Sequence, residues 1–152
     1  KSLPKGHSLV IREHPLYKSK YEKEIYHLIR DNSNVYIDVN SKLEDVINNS
    51  SIVVVNNSTV GIESIAKFKK TIVLGDCYYD RDEICFKFKN DLPQLFNDVL
   101  SSELNEKHII EFLHNFCFKF LIEGHFRDEE IKKTTKTISN VILNHKKINL
   151  II

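Results

Sequence analysis

The sequence predicts an α/β domain with a doubly wound parallel sheet, followed by a helical C-terminal tail. Three features support this fold class. Short β-rich runs alternate with helical patterns through the first half of the chain, the joints between them are short, and the last third has helical patterns only. Such alternation is typical of a parallel sheet with helices on both faces. With 152 residues, 41% of them hydrophobic, the chain can form one domain with a sizeable core.

The strands are predicted from short runs rich in β-branched residues. In order they cover residues 8–14, 35–39, 51–55 and 71–74, with a further short strand at 84–88. The third run, SIVVV, is apolar almost throughout, as expected of a buried parallel strand. Pro15 follows the first run and should end its pairing, because proline has no backbone N–H to donate.

Helices are predicted between the strands and after them. They cover residues 21–30, 42–48, 58–68, 92–100, 106–122 and 128–145. Ser41 and Glu44 have the spacing of a capping box for the second helix, and Gly124 is placed to close the fifth. We expect a single domain over residues 1–152, with a core over about 7–90 and a helical tail over about 91–147.

Composition excludes several classes of function. The net charge is +1, so no basic field indicates a nucleic-acid partner, and no apolar run approaches the ~20 residues that cross a bilayer. Neither the three cysteines nor the histidines have metal-ligand spacing, which predicts reduced thiols, no metal and a cytoplasmic location. Dinucleotide and phosphate-loop signatures are absent, and no cofactor is expected. Because the chain begins at Lys1 and has no methionine, we expect it to be part of a longer protein.

Candidate ligand contacts follow the strands, because open α/β sheets bind ligands beyond the carboxyl ends of their strands. Three polar clusters are placed there, residues 12–15, 56–59 and 75–80, and we expect them to converge on one rim. Arg12 and His14 alternate along the first strand and share a face, so two cationic donors point toward one anion. The alternative for His14 is a structural histidine.

The segment NNSTVGIES is the strongest local signal. Ser58 and Thr59 begin a helix, where free N–H groups, the helix dipole and their hydroxyls favour a phosphate. Gly61 lets a ligand approach the backbone, and Glu63 can accept hydrogen bonds from ribose hydroxyls. The alternative is that Ser58 is a plain helix cap and Gly61 a packing residue. Likewise, Asp76 and Asp80 beside two tyrosines could be ordinary turn residues.

Together these segments resemble the capsule polysaccharide biosynthesis family, which includes the bacterial Kdo transferases. The matching pieces are residues 3–17 and 53–80. The family has a Lys/Arg-x-His-Pro strand end, then an Asn-Ser-Thr-x-Gly-x-Glu helix start, then a strand ending in Gly with a Tyr-Asp pair. The corresponding residues here are Arg12, His14, Pro15, Asn57, Ser58, Thr59, Gly61, Glu63, Gly75, Tyr79 and Asp80. Ser64 departs from the pattern, since the family more often has alanine there.

The resemblance implies one half of a GT-B-like fold, in which two Rossmann-like domains face each other across a cleft. This chain would be the C-terminal, donor-binding domain of a glycosyltransferase, with its N-terminal partner domain absent. The implied donor is a CMP-activated acidic sugar such as Kdo, and the implied acceptor is a growing glycan or glycolipid at the inner membrane, where the enzyme would associate peripherally. The catalytic base would belong to the absent domain, so none is named.

The resemblance also implies residue roles. Donor nucleotide and phosphate binding falls to Arg12, His14, Asn57, Ser58, Thr59, Gly61 and Glu63. A loop for the donor sugar would contain Asp76, Tyr79 and Asp80.

Other functions remain open at this point. A CDP-polyol glycerophosphotransferase of teichoic-acid type also pairs a His-Pro with a serine-bearing helix start, although the Asn-Asn-Ser-Thr run and the Gly-Asp-Cys-Tyr-Tyr-Asp loop fit it less well. A nucleotide-sugar 2-epimerase shares the GT-B-like fold but is expected to have a more acidic, glycine-rich site. From a different class, the chain could be a non-catalytic nucleotide-binding or partner-docking module.

Overall fold

A computed structural model of the chain describes residues 3–14, 20–122 and 131–149, with side chains as far as residue 144. Over these ranges the chain forms five β-strands, six α-helices and one π-helical turn. The elements of the first half are β1 (Leu9–Arg12), α1 (Lys23–Asp31), β2 (Val35–Asp38), α2 (Leu43–Asn49), β3 (Ile52–Val55), α3 (Val60–Ala66) and β4 (Lys70–Val73). They are followed by β5 (Phe86–Lys87), α4 (Leu92–Ser101), α5 (Glu106–Asn115), the π-helical turn (Phe116–Phe120) and α6 (Ile131–Asn149).

The chain divides into two compact units, Lys1–Ile110 and Glu111–Ile152. The first unit contains the elements from β1 to α4 and the first half of α5, so it extends beyond the predicted core of residues 7–90. In the second unit, Phe112 and Phe116 stack with ring centroids 5.9 Å apart where α5 passes into the π-helical turn. Within the described residues, no helix is both long and apolar enough to span a bilayer.

The mixed α/β class with parallel strands is confirmed, but the hydrogen bonds form two ladders. β1 pairs with β2 in parallel, and β3, β4 and β5 form a second parallel sheet. Within the described ranges no ladder joins β1 to β3, so the prediction of one continuous sheet is wrong in its hydrogen bonding. Residues of both strands line a common cleft.

The ends of several elements differ from the predictions. Helix α2 has no side-chain cap, and the N–H of Ser41 instead donates to Asp38 Oδ1 at 3.1 Å, so the capping-box prediction is wrong. The helix predicted to run to residue 122 ends at Asn115 and continues as the π-helical turn. Pro15 and Gly124 lie outside the described residues, and their predicted roles stay predictions.

The core of the first unit lies where α4 packs against the β3–β4–β5 sheet. Its centre is formed by Ile72, Phe96 and Val99, which are buried. The partly buried residues packed around them are Ile52, Phe86, Leu92 and Leu95. Helix α4 is capped at its N-terminus by Asp91, whose side chain accepts a hydrogen bond from the N–H of Gln94 at 3.0 Å. This packing holds β3, whose carboxyl end contributes to the candidate site.

A buried pair of hydroxyls joins α3 to β4 and accounts for Ser64. Ser64 Oγ lies 2.8 Å from Thr71 Oγ1, and both residues are fully buried. Thr71 Oγ1 donates to the carbonyl of Lys69 at 3.0 Å. Because a hydroxyl has a single proton, Ser64 must be the donor to Thr71. The serine that replaces the family's alanine at position 64 therefore has a hydrogen-bond acceptor for its hydroxyl, Thr71 Oγ1.

We expect Thr71→Val to lower the free energy of unfolding by about 1–3 kcal/mol, because the buried Ser64 hydroxyl then loses its acceptor. Ser64→Ala should be nearly neutral, since Thr71 keeps its bond to Lys69. The double variant should therefore be more stable than Thr71→Val alone. Urea unfolding of the four proteins measures this, and a double variant no more stable than Thr71→Val would contradict it.

Candidate functional site

A cleft of about 900 Å³ opens between β1 and β3. The polar lining residues around the end of β1 and the start of α3 are Arg12, Glu13, His14, Ser58, Thr59 and Glu63. Other polar residues of the lining are His7, Ser8, Tyr21, Asn49, Ser50 and Ser51. The whole of β3 lines the cleft as well and contributes apolar side chains. Small-molecule sites commonly occupy about 300–1,000 Å³, with a few polar groups set in an apolar lining. The cleft thus brings together the first two of the three predicted clusters.

Arg12 is engaged by a carboxylate of the neighbouring strand. Its Nη1 donates to Asp38 Oδ2, and the two residues are partners in the parallel register of β1 and β2. Hydrogen bonding from Ser41 and from Arg12 lowers the pKa of Asp38. Asp38 was not selected from the sequence, because nothing local indicates which residue lies beside Arg12. Arg12 was predicted to point toward an anion, and in this structure the anion that it binds is the carboxylate of Asp38.

Glu13 and His14 continue β1 with opposite burial. His14 is exposed and lines the cleft, whereas Glu13 is only 4% exposed. Tyr26 of α1 donates its hydroxyl to Glu13 Oε1 at 3.2 Å, and the Glu13 N–H donates to the Asp38 carbonyl at 3.1 Å. Desolvation and the hydrogen bond to Glu13 raise the pKa of Tyr26. These bonds tie the end of β1 to α1 and β2, and so fix the backbone from which His14 projects.

At the start of α3, some of the expected phosphate donors are already used. Ser58 Oγ accepts a hydrogen bond from the N–H of Val60 at 3.2 Å, and the Ser58 carbonyl accepts one from the N–H of Gly61 at 3.0 Å. The interpretation of Ser58 as a helix cap is thus supported in part. Thr59 and Glu63 are exposed and line the cleft. Asn57 is exposed beside them. The hydroxyls of Ser58 and Thr59, rather than a row of free backbone amides, are the groups offered to a ligand.

Gly61 is a packing residue, as the alternative interpretation had it. A Cβ added to Gly61 would come within 2.6 Å of Tyr79 Cζ, so the tyrosine ring occupies the space in which a ligand was expected. Tyr79 itself is 0% exposed, and its hydroxyl donates to the Ser58 carbonyl. The predicted contact of Tyr79 with the donor sugar stays a prediction, and in this structure the ring is buried and its hydroxyl is bound to the Ser58 carbonyl.

The two aspartates of the same loop bind a lysine of β5. Lys87 Nζ donates to Asp76 Oδ1 at 2.8 Å and to Asp80 Oδ2. These bonds, first that to Asp76, raise the pKa of Lys87, and the bond from Lys87 lowers the pKa of Asp76. Neither aspartate belongs to the cleft lining. Residues 75–80 thus do not line the cleft, but Gly75 and Tyr79 of this third cluster contact Asn56 and Ser58 of the second.

Metal-binding groups and reactive thiols are not prominent in the part of the chain that the structure describes. No group of three or more His, Cys, Asp or Glu side chains is arranged there to bind a metal ion. Of the three free cysteines, Cys85 is buried, Cys77 is half-buried and Cys117 is exposed. Burial raises the pKa of Cys85 to about 11, so this thiol stays protonated and unreactive.

Comparison with known proteins gives one match. A family model described as "Capsule polysaccharide biosynthesis protein" matches residues 1–92. The matched range ends at the start of α4 and includes β1, β3 and every cleft-lining residue except Phe96. No curated protein and no solved structure matches the chain.

Proposed function

This chain belongs to the capsule polysaccharide biosynthesis family, and we propose that it is the nucleotide-sugar-binding part of a glycosyltransferase. One observation carries the proposal: the cleft between β1 and β3 brings His14 of the first motif together with Ser58 and Thr59 of the second. These two motifs are distant in sequence, and their cleft-lining residues follow the carboxyl ends of β1 and β3, where α/β folds bind nucleotides; the cleft itself extends along both strands. The strand arrangement supports a Rossmann-like domain opened between β1 and β3.

We assign the donor phosphate to His14, Ser58 and Thr59. An imidazolium forms charge-assisted hydrogen bonds with phosphate oxygens. Ser58 accepts a bond from Val60 but still has its own hydroxyl proton to donate. Arg12 binds Asp38 through Nη1, and a guanidinium has five N–H donors, so Arg12 can add positive charge to the cleft while keeping that partner. Glu63 lines the same cleft and is assigned to the ribose hydroxyls.

The proposed donor is a CMP-activated acidic sugar such as Kdo. The volume of the cleft, about 900 Å³, is within the range of small-molecule sites and is large enough for a nucleotide sugar. Because Tyr79 is buried and Asp76 and Asp80 bind Lys87, we no longer assign the sugar to their loop. We propose that a second domain, facing the cleft in a GT-B-like arrangement, contributes the sugar and acceptor contacts and the catalytic carboxylate. The acceptor would be a growing capsule glycan or glycolipid at the cytoplasmic face of the inner membrane.

Calorimetric titration of the chain with CMP, CDP, UMP and UDP in parallel tests the proposal. Selective binding of CMP is expected for a Kdo-type donor site. Preference for CDP would favour the CDP-polyol glycerophosphotransferase, and preference for a uridine nucleotide would favour another sugar transferase or an epimerase. If none of the four nucleotides binds, the proposed function is contradicted and the partner-docking module is the remaining interpretation.

We expect His14→Ala to weaken CMP binding about tenfold, since a hydrogen bond to a charged group contributes roughly 1.5–3 kcal/mol. His14 is exposed, so the melting temperature should change little. His27→Ala is the matched control, because His27 is also exposed but lies on α1 outside the cleft lining. Calorimetry measures both dissociation constants. A dissociation constant for His14→Ala equal to that of His27→Ala would exclude His14 as a phosphate contact.

A further inference from the structure

Tyr79 is immobilised on several sides in the loop between β4 and β5. Its side chain is 0% exposed, and its ring meets that of Tyr78 edge to face with centroids 5.0 Å apart. Its carbonyl accepts hydrogen bonds from the N–H of Arg81 at 2.9 Å and from Cys85 Sγ at 3.4 Å. A ring enclosed in this way has one position relative to the sheet, which makes it a rigid support for whatever its hydroxyl contacts.

That hydroxyl contacts the backbone at the edge of the cleft. Tyr79 Oη donates to the Ser58 carbonyl, and Gly61, which has no Cβ, lets the ring come close enough to do so. The Ser58 carbonyl also accepts the Gly61 N–H at 3.0 Å, so two donors fix its direction. Burial raises the pKa of Tyr79, and the phenol therefore remains a proton donor throughout the physiological range.

Ser58 and Thr59 line the cleft, whereas Tyr79 does not. We infer that Tyr79 is a positioning residue for the nucleotide phosphate: its hydroxyl fixes the main chain at Ser58 and thereby the hydroxyls of Ser58 and Thr59. This inference rests on the proposed function, which assigns those hydroxyls to the phosphate. Preorganised donors bind strongly only when the groups behind them are themselves fixed.

The test compares Tyr79→Phe with Tyr78→Phe. Tyr79→Phe keeps the ring and removes only the hydroxyl, and the Ser58 carbonyl keeps its Gly61 donor, so no buried group is left without a partner and the chain should fold. Tyr78 is the neighbouring residue, 52% exposed and outside the cleft lining, which makes it a matched control. Both variants and the wild-type chain are titrated with CMP and with cytidine, which lacks the phosphate.

For Tyr79→Phe we expect CMP binding to weaken about three- to tenfold, the usual worth of one hydrogen bond, while cytidine binding stays unchanged. Tyr78→Phe should bind both ligands like the wild-type chain. A purely structural role for the hydroxyl would lower stability without changing the ratio of the two affinities. If the wild type binds CMP and Tyr79→Phe keeps the wild-type ratio, the inference is wrong and the proposed function survives.

Amide hydrogen exchange of the nucleotide-free chain provides a second measurement that does not depend on ligand binding. In Tyr79→Phe, the amides of Val60 and Gly61, which bond to Ser58, should exchange faster, and those of β4 should not. Equal acceleration in both segments, or none in either, would overturn the inference even if no nucleotide binds. If the wild-type chain binds no nucleotide but Tyr79→Phe shows the local acceleration, the proposed phosphate role is contradicted while the contact between Tyr79 and Ser58 is supported.

Discussion

Gly61→Ala is expected to lower the free energy of unfolding by about 1–3 kcal/mol, because the new methyl group must displace a packed aromatic ring. The Cβ would come within 2.6 Å of Tyr79 Cζ, and Tyr79 is 0% exposed, with no empty space into which it could move. Displacing the ring also moves its hydroxyl from the Ser58 carbonyl. We therefore expect weaker CMP binding in the folded variant. Chemical unfolding and calorimetry measure the two effects.

Gly75→Ala is the control for this prediction. A Cβ at Gly75 would come within 2.6 Å of Asn56 Oδ1, a distance as short as that between a Cβ at Gly61 and Tyr79 Cζ. The contacted atom is the end of an exposed, flexible side chain rather than part of a buried ring, so Asn56 can rotate away at small cost. Gly75→Ala should accordingly be the more stable of the two variants. Equal destabilisation would mean that the Tyr79 ring is not a fixed obstacle.

Ile72→Ala should produce the largest loss of stability, about 2–5 kcal/mol, because it removes buried methyl and methylene groups and leaves a cavity. Ile72 is 0% exposed at the centre of β4 and contacts Phe96 and Val99 of α4. The side chains packed around Ile72 fill the space only in part when a buried side chain is truncated, so a cavity remains. The midpoint of urea unfolding, with the slope of the transition unchanged, measures the loss.

The matched control is Val54→Ala on the neighbouring strand. Val54 is the register partner of Ile72 in the parallel ladder, but it is 40% exposed. Its truncation removes little buried surface, so its effect should be well below that of Ile72→Ala. The comparison isolates burial, since strand position and β-propensity are closely similar. A Val54→Ala variant as unstable as Ile72→Ala would mean that the difference in burial between these two residues does not determine the loss of stability.

The sequence alone predicted the parts of the fold that depend on local pattern. β-branched runs became the parallel strands β3 (Ile52–Val55) and β4 (Lys70–Val73), because β-branched side chains pack well on a pleated sheet. β4 is buried as expected of such a run, whereas β3 is only partly buried, with Val54 exposed. The apolar stripes between them became helices. The pairing of His14 with Ser58 and Thr59 in one cleft also follows from sequence reasoning, since parallel strands present their carboxyl ends at one edge.

Capping contacts were predicted less well than the elements. Ser41 had the spacing of a capping box, yet its N–H binds the side chain of Asp38. The same carboxylate binds Arg12, which sequence reasoning had assigned to an external anion. Local spacing identifies groups able to form a bond but not the competing partner that the neighbouring strand supplies.

What only the tertiary structure decided is which polar and aromatic groups face the cleft. Tyr79 and Gly61 belong to motifs that predict ligand contacts, but they contact each other, because the loop after β4 folds back onto α3 and buries the ring. Lys87 lies on β5, outside every motif, and binds both loop aspartates. Sequence pattern determined the strands, helices and the shared cleft, since these follow from periodicity and chain direction. Which way an individual side chain points depended on contacts between segments that are distant in sequence, and no local pattern encodes such contacts.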